Sequence, residues 1–180
     1  PWCRDAEVLN AFSYTGAFTL YALQGGAAHV TGVDIAPASA PETRRNVELN
    51  GMDPARCDNV VADCFDWLAR AAKQGRTFDV VILDPPALAR DKASRHAAAR
   101  AYTRLNALAL RCLRPGGVLA TASCTSQVSP ELFREALAAA AAQAGRRLLI
   151  VHEAGHALDH PIPAHFPEAR YLKFVLGVAE

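Results

Sequence analysis

Phe78-Asp79-Val80-Val81-Ile82-Leu83-Asp84-Pro85-Pro86 is the stretch that decides the fold. Apart from Asp79, the run from Phe78 to Leu83 is apolar, which suits a strand buried on both faces, as at the centre of a parallel sheet. The two prolines then end it, since each lacks an N–H for the ladder and fixes its own φ. On either side, short β-rich runs alternate with amphipathic helical stretches. That alternation predicts an α/β domain: a parallel sheet with helices on both faces. Upstream, Val8–Phe12 reads as the first strand and Ala17–Gly25 as a helix closed by Gly25-Gly26. His29–Asp34 reads as the second strand. A helix then starts at Ser39, with Ser39-x-x-Glu42 as a capping box, Pro41 in the first turn and Gly51 as its end. The third strand is placed at Asn59–Ala62 and its helix at Phe65 to Lys73. Downstream, a polar loop precedes a long helix, Ala97–Leu113, stopped by Arg114-Pro115-Gly116-Gly117. The fifth strand is Val118–Ala122. Ser129-Pro130 caps a helix that runs through the Ala-rich stretch to Gly145. Two late β runs, Arg147–Glu153 and Tyr171–Val178, flank a loop rich in His and Pro.

The 180 residues suffice for one domain with a substantial core, and 51% hydrophobic with 21% charged is an ordinary globular composition, which excludes a disordered chain. No stretch holds about 18 uncharged apolar residues, so no membrane span is expected. Pro1-Trp2-Cys3-Arg4-Asp5 has no apolar run behind a basic start, so it does not read as a secretory signal. Without a starting Met the chain reads as a fragment or processed piece. A net charge of +1 is low for an isolated nucleic-acid binder, so any such grip must be local or lie in another domain. The five cysteines (Cys3, Cys57, Cys64, Cys112, Cys124) show no CxxC spacing and read as reduced thiols of a cytoplasmic protein. His152, His156, His160 and His165 match no standard ligand spacing, and no metal is expected.

The strand ends carry the chemistry, because ligands of open α/β sheets sit beyond the carboxyl ends of the strands. The first turn, Asn10-Ala11-Phe12-Ser13-Tyr14-Thr15-Gly16, is not the GxGxxG of a pyrophosphate cradle, and Gly16 would let backbone come close to a ligand. An ordinary strand–helix turn fits it equally. Asp34 could accept both hydroxyls of a ribose, a geometry shared by NAD and S-adenosylmethionine sites, or cap a helix. Asp63 could hold an adenine amino group with Phe65 near the ring, or cap the next helix, and both can hold at once. Asp84, stiffened by Pro85-Pro86, could read the amide edge of a planar base. Ser123-Cys124-Thr125 ends the fifth strand beside it. There Cys124 is either a nucleophile, active as the thiolate, or a small buried thiol. Arg90, Lys92, Arg95, Arg100 and Arg104, against the lone Asp91, make a basic segment where a phosphate backbone could pass, or a solvated helix face.

Together, Val8-Leu9-Asn10-Ala11-Phe12-Ser13-Tyr14-Thr15-Gly16-Ala17-Phe18, Asn46-Val47-Glu48-Leu49-Asn50, residues 78–86, Ser123-Cys124, and the C-terminal Asp159-His160-Pro161, Pro167-Glu168 and Tyr171-Leu172-Lys173 resemble the 23S rRNA cytosine-C5 methyltransferase family of the large-subunit methyltransferase I type. The resemblance runs from Val8 to Lys173. It implies a Rossmann-like class I methyltransferase sheet, seven-stranded and mostly parallel with a final antiparallel strand, and the hairpin-like end of the chain agrees. It implies S-adenosyl-L-methionine as cofactor, held by Phe12, Ser13, Tyr14, Thr15, Gly16, Asp34, Ile35, Asp63, Cys64 and Asp84. RNA, in particular large-subunit rRNA, is the implied partner, met by Pro85, Pro86, Arg90, Lys92 and Arg95. A homodimer stays open. Family members usually carry an N-terminal PUA domain and a small β-rich linking domain. Neither is found in these residues, and much of the RNA grip is expected there.

The family's chemistry carries onto two residues. Cys124 would attack C6 of cytosine so that C5 becomes nucleophilic. Asp84 would hydrogen-bond the N3/N4 edge, with the Pro85 carbonyl orienting the amine. The base must be unpaired or flipped out. Two competitors stay open: RNA methylation at nitrogen (guanine N7 or an exocyclic amine), and a non-catalytic S-adenosylmethionine- or RNA-binding module. Ala87 stands where amino-methyltransferases often place a stacking aromatic, and the N7 branch needs no cysteine at strand five.

Overall fold

The computed structural model describes residues 2–89, 91, 93–158, 160–166 and 169–180. Its strands are β1 (Glu7–Ala11), β2 (His29–Asp34), β3 (Cys57–Val61), β4 (Phe78–Leu83), β5 (Leu113–Ser123), β6 (Leu148–Ala154) and β7 (Lys173–Ala179). The helices are α1 (Ala17–Gln24), α2 (Ser39–Leu49), α3 (Cys64–Lys73), α4 (Arg95–Arg111) and α5 (Pro130–Ala144). The strands form one seven-stranded sheet in the order β3-β2-β1-β4-β5-β7-β6. β1 to β5 pair in parallel, and β7 inserts antiparallel between β5 and β6. This is the α/β sheet with helices on both faces that the residues predict, and the Rossmann-like order with a final antiparallel strand that the family resemblance implies.

Side chains alternate across the sheet with a period of two. Leu9, Val81, Leu83 and Leu119 point to the face covered by α3, α4 and α5, where Leu68, Leu105 and Leu110 meet them. Val8, Val80, Ile82 and Val118 point to the other face and pack on Ala22 and Leu23 of α1 and Val47 of α2. β4 is therefore buried on both sides from Val80 to Leu83, with Asp79 near its start partly exposed. Each fully buried Leu or Val contributes about 1.5–3 kcal/mol relative to exposure, so the two layers hold the five parallel strand ends along one edge.

Several local expectations are corrected. Ser39 does not cap α2. The helix begins on it, its hydroxyl donates to the Ala36 carbonyl at 2.7 Å, and no side chain caps the helix, so the Ser39/Glu42 box is not formed. Phe12 lies just beyond β1, with a positive φ that no extended strand allows. β3 begins two residues earlier than Asn59, after a 3₁₀ turn at Pro54–Arg56 capped by Asp53. The largest departure is at Arg114-Pro115-Gly116-Gly117, which ends no element. β5 starts at Leu113, opposite Phe78, and pairing resumes at Val80–Val118, so these residues form a bulge inside the strand. Gly116 takes φ 79° there, and a Cβ on Gly117 would stand 3.0 Å from the Asp79 carbonyl. By contrast, Ser129 does cap α5 by accepting from Leu132 N, and Gly145 closes it in the left-handed conformation. No helix among the described residues is long and apolar enough to cross a membrane.

Candidate active site

The parallel register brings the ends of β1 to β5 to one edge, where a cleft of about 650 Å³ opens. One half is walled by Phe12, Tyr14, Asp34, Ile35 and the stretch from Asp63 to Phe65. The other half is walled by Asp84, Pro85, Pro86, Leu88 and Cys124.

The first half is built around a strained turn. Phe12 (φ 63°) and Tyr14 (φ 46°) both occupy the left-handed region, which bulky residues avoid. The surroundings over-determine them. Phe12 N donates to Cys64 Sγ at 3.3 Å, Ser13 N to the Val33 carbonyl at 3.0 Å and Tyr14 N to Asp34 Oδ2 at 2.9 Å. From α2, Thr43 Oγ1 donates to the Tyr14 carbonyl at 3.3 Å and Asn46 Nδ2 to the Thr15 carbonyl at 2.9 Å. The Cys64 thiol in turn donates to Val33 O, and burial, with Asp34 and Asp63 nearby, pushes its pKa up to about 12. It is an inert strut at the cleft floor.

Ser13, Thr15 and Gly16 do not line the cleft; they shape the turn that does. Gly16 has φ 86°, and a Cβ there would lie 2.4 Å from Thr43 Cγ2. In this structure its lack of a side chain also permits the close approach of Thr43 on α2.

Asp34 accepts from two backbone N–H groups, Ala36 N on Oδ1 at 2.8 Å and Tyr14 N on Oδ2 at 2.9 Å. Each carboxylate oxygen keeps a further lone-pair site, so Asp34 could still accept a pair of hydroxyls. Asp63 caps α3 by accepting from Asp66 N at 3.0 Å, while it also lines the cleft. Phe65 meets Phe12 edge-on with centroids 6.4 Å apart, and the Arg104 guanidinium stands 5.6 Å from the Phe65 ring centre. These rings and the exposed Ile35 side chain form an apolar wall of the cleft.

In the second half, β4 and β5 run side by side with Leu83 opposite Thr121, so Asp84-Pro85 and Ser123-Cys124 leave the sheet together. The Cys124 thiol, half-buried, donates to the Pro85 carbonyl at 3.6 Å. Asp84 reaches water through the cleft mouth, yet the walls displace enough solvent to push its carboxyl pKa up. Burial also raises the Cys124 pKa, Asp84 raises it further, and the Lys173 charge works the other way. Thr125 Oγ1 donates to the Ala89 carbonyl at 3.0 Å and ties the loop after β4 to the turn after β5. Behind them the buried Tyr102 hydroxyl lies next to Ser123 and the Leu88 backbone.

Arg95 stands exposed at the start of α4, with Arg100 and Arg104 exposed along the same helix. Arg90 and Lys92 lie outside the described residues, as do Asp159, Pro167 and Glu168. Among the described residues, no group of three or more His, Cys, Asp or Glu could hold a metal ion. Sequence reasoning left Leu88, Thr43, Asn46 and Lys173 without roles. Asn46 and Lys173 do stand in the stretches that carry the family resemblance, which was the available signal.

The sheet order and the cleft spanning five strand ends define a class I methyltransferase domain. The profile of S-adenosylmethionine-dependent methyltransferases matches residues 3–156, and the chain belongs to that family. It is 44% identical over 170 residues to Ribosomal RNA large subunit methyltransferase I of Pseudoalteromonas translucida (strain TAC 125), covering 94% of this chain and 43% of that protein. The protein of the same name from Klebsiella pneumoniae (strain 342) is 43% identical over 172 residues, 96% of this chain and 43% of that one. The crystal structure of SMU.776 complexed with SAH superposes with a TM-score of 0.86 at 27% identity, covering 98% of this chain and 46% of that one. The chain thus spans less than half the length of the relatives it matches.

Proposed function

We propose that this chain is the catalytic part of an S-adenosylmethionine-dependent methyltransferase that modifies C5 of a cytosine in RNA, large-subunit rRNA by analogy with its relatives, through a covalent bond to Cys124. The observation that carries this reading is the placement of Cys124 against Pro85 and beside Asp84 in one cleft.

The residues of the first half fit the cofactor. Asp34 accepts the ribose hydroxyls, Phe12, Ile35 and Phe65 enclose the adenine, and Asp63 accepts from its amino group. Ser13, Thr15, Gly16 and Cys64 hold the turn that presents Tyr14. When bound, S-adenosylmethionine supplies to C5 a methyl group already activated by the positive charge on its sulfur. Cys124 supplies what cytosine lacks. Its thiolate adds to C6, forming a C–S bond and moving the ring electrons toward C5 and N3. Asp84 holds the N3/N4 edge and matches the charge that arrives there; its raised pKa favours sharing a proton with N3. Pro85 and Pro86 fix Asp84 against Cys124, and the Pro85 carbonyl has a second lone pair for the exocyclic amine. Once C5 is methylated, its proton leaves to a base, the C–S bond breaks, the C5–C6 double bond re-forms, and the thiolate is regenerated. Arg95, with Arg90 and Lys92, offers charge to the RNA backbone at the cleft mouth.

The test uses RNA containing 5-fluorocytosine, whose C5 cannot lose a proton. With S-adenosylmethionine present, the protein should form an adduct stable to denaturation, and Cys124→Ser should abolish it. Methylated RNA that does not depend on Cys124 would overturn the nucleophile assignment and favour methylation at nitrogen. Absence of methylation by the chain joined to the upstream part its relatives carry would favour a binding module.

A further inference from the structure

Lys173 opens β7 directly opposite Ser123, so it stands on the strand next to Cys124, one residue out of register. Only 7% of it is exposed. Lysine is almost never buried so fully without a partner. Its ammonium donates to the carbonyl of Thr125, the residue after Cys124, and to the Tyr171 carbonyl at 2.8 Å. Among the described residues no carboxylate pairs with it. Two neutral acceptors orient it and leave its charge uncompensated, so the charge is felt by the next ionisable group, which is Cys124. Burial lowers its pKa to about 8, which still leaves it mostly protonated at neutral pH. A plain structural peg for the Thr125 turn would need the hydrogen bonds but not the charge.

We propose that Lys173 is a positioning residue for Cys124: its ammonium, aimed by the Thr125 and Tyr171 carbonyls, stabilises the Cys124 thiolate from behind the cleft and offsets the Asp84 carboxylate in front. This rests on the reading of Cys124 as the nucleophile. The geometry is a sandwich. Asp84 from the end of β4 makes the thiolate costly, and Lys173 from β7 relieves that cost. The Tyr102 hydroxyl from α4 lies beside both Cys124 and Asp84 and stays neutral, since burial raises its pKa. His156 stands one ring further back, edge-on to Tyr171 at 4.7 Å. Lys173 does not line the cleft, so it acts through Cys124 and not on the base.

The test follows the rate of iodoacetamide alkylation of Cys124 between pH 6 and 10, read by peptide mass spectrometry in the folded protein. Cys3, also half-buried but at the far end of β1, is the internal standard. Lys173→Gln keeps a hydrogen-bond donor and loses the charge; Lys173→Arg keeps the charge. Near pH 7, where Lys173 still carries its charge, the Cys124 rate in Lys173→Gln should fall about tenfold, with Cys3 unchanged and Lys173→Arg close to wild type; above about pH 9 the rates of wild type and Lys173→Gln should converge as the wild-type lysine becomes neutral. An unchanged Cys124 rate near pH 7 in a folded Lys173→Gln protein, by circular dichroism, would overturn the proposal. So would equal loss in Lys173→Arg. The alkylation readout is independent of the 5-fluorocytosine adduct. A slower Cys124 rate without an adduct refutes the nucleophile and leaves the charge coupling, and an adduct without a change in that rate does the reverse.

Discussion

The Cys124 thiol and the Pro85 carbonyl meet at 3.6 Å, and this contact joins the two loops that leave the centre of the sheet. It places the thiol within reach of the Asp84 field, and that field acts against ionisation. Asp84→Asn removes a negative charge, so the Cys124 thiolate becomes easier to form. Alkylation of Cys124 near pH 7.5 should therefore speed up by several-fold. Methyl transfer should move in the opposite direction and fall by more than about tenfold, because Asn cannot share with N3 the proton that the arriving negative charge requires. Opposite signs for thiol reactivity and turnover in one variant are the outcome to check.

Gly16 and Thr43 form the tightest steric couple of the cofactor side. Gly16→Ala forces an L side chain to φ 86° and drives its Cβ into Thr43 Cγ2. The expected cost is about 2–4 kcal/mol, combining the left-handed penalty with overpacking. Thr43→Ala alone loses the hydrogen bond to the Tyr14 carbonyl and should cost ~1 kcal/mol. The double variant should be more stable than the sum of the two by about 1 kcal/mol or more, since the two nearest clashing atoms are gone and the backbone penalty stays with one tight contact, Thr43 Cβ at 3.0 Å. Urea unfolding of the four proteins reads this directly.

Signals that are local were legible in the sequence. β2 and β4 are found with their observed bounds, because Asp34 and Asp84-Pro85-Pro86 stop them chemically at the residues where they stop. The strand-end residues Asp34, Asp63, Asp84 and Cys124 gather in one cleft because a parallel sheet leaves them no other edge. What was hidden depends on distant chain. Pro115-Gly116-Gly117 looks like a stop, yet it is a bulge, since Leu113 finds Phe78 to pair with. Lys173 looks like any residue near a strand start until β7 inserts beside β5 and buries it. Gly16 suggests room for a ligand, but its neighbour is a side chain on α2, which only the packing of α1 against α2 reveals.

Asp34 has two duties, and a variant can separate them from mere folding. Its carboxylate holds Tyr14 N–H in a left-handed conformation and, in the proposed function, the ribose of the cofactor. Asp34→Ala removes both, so the Kd for S-adenosylhomocysteine measured by calorimetry should rise about 10–100-fold, the usual loss for charged hydrogen bonds. Asp58→Ala, on the edge strand β3 and paired with His29, should leave the Kd unchanged. Equal affinity in Asp34→Ala and wild type would move the ribose elsewhere.

Lys173 also predicts a signature in stability against pH. Folding lowers its pKa from 10.5 to about 8, so burial of the charge is a penalty that the protein carries at low pH. Below pH 8 the lysine is protonated in both states and the penalty is present in full. Between pH 8 and 10.5 the unfolded chain binds more proton than the folded one, so stability from this group rises with pH. At about 1.4 kcal/mol per pH unit the whole window is worth ~3 kcal/mol. The cysteines oppose it: burial raises the pKa of Cys64 to about 12 and of Cys112 to about 11, and their contribution falls as pH climbs past the ordinary thiol range. The measurement must therefore be a difference. Unfolding free energies of wild type and Lys173→Met, taken at pH 7, 8, 9 and 10, cancel Cys64 and Cys112. The difference should stay nearly level from pH 7 to 8, and the wild type should gain on the variant from pH 8 to 10. A flat difference would mean that Lys173 keeps its ordinary pKa and that its charge is solvated in place.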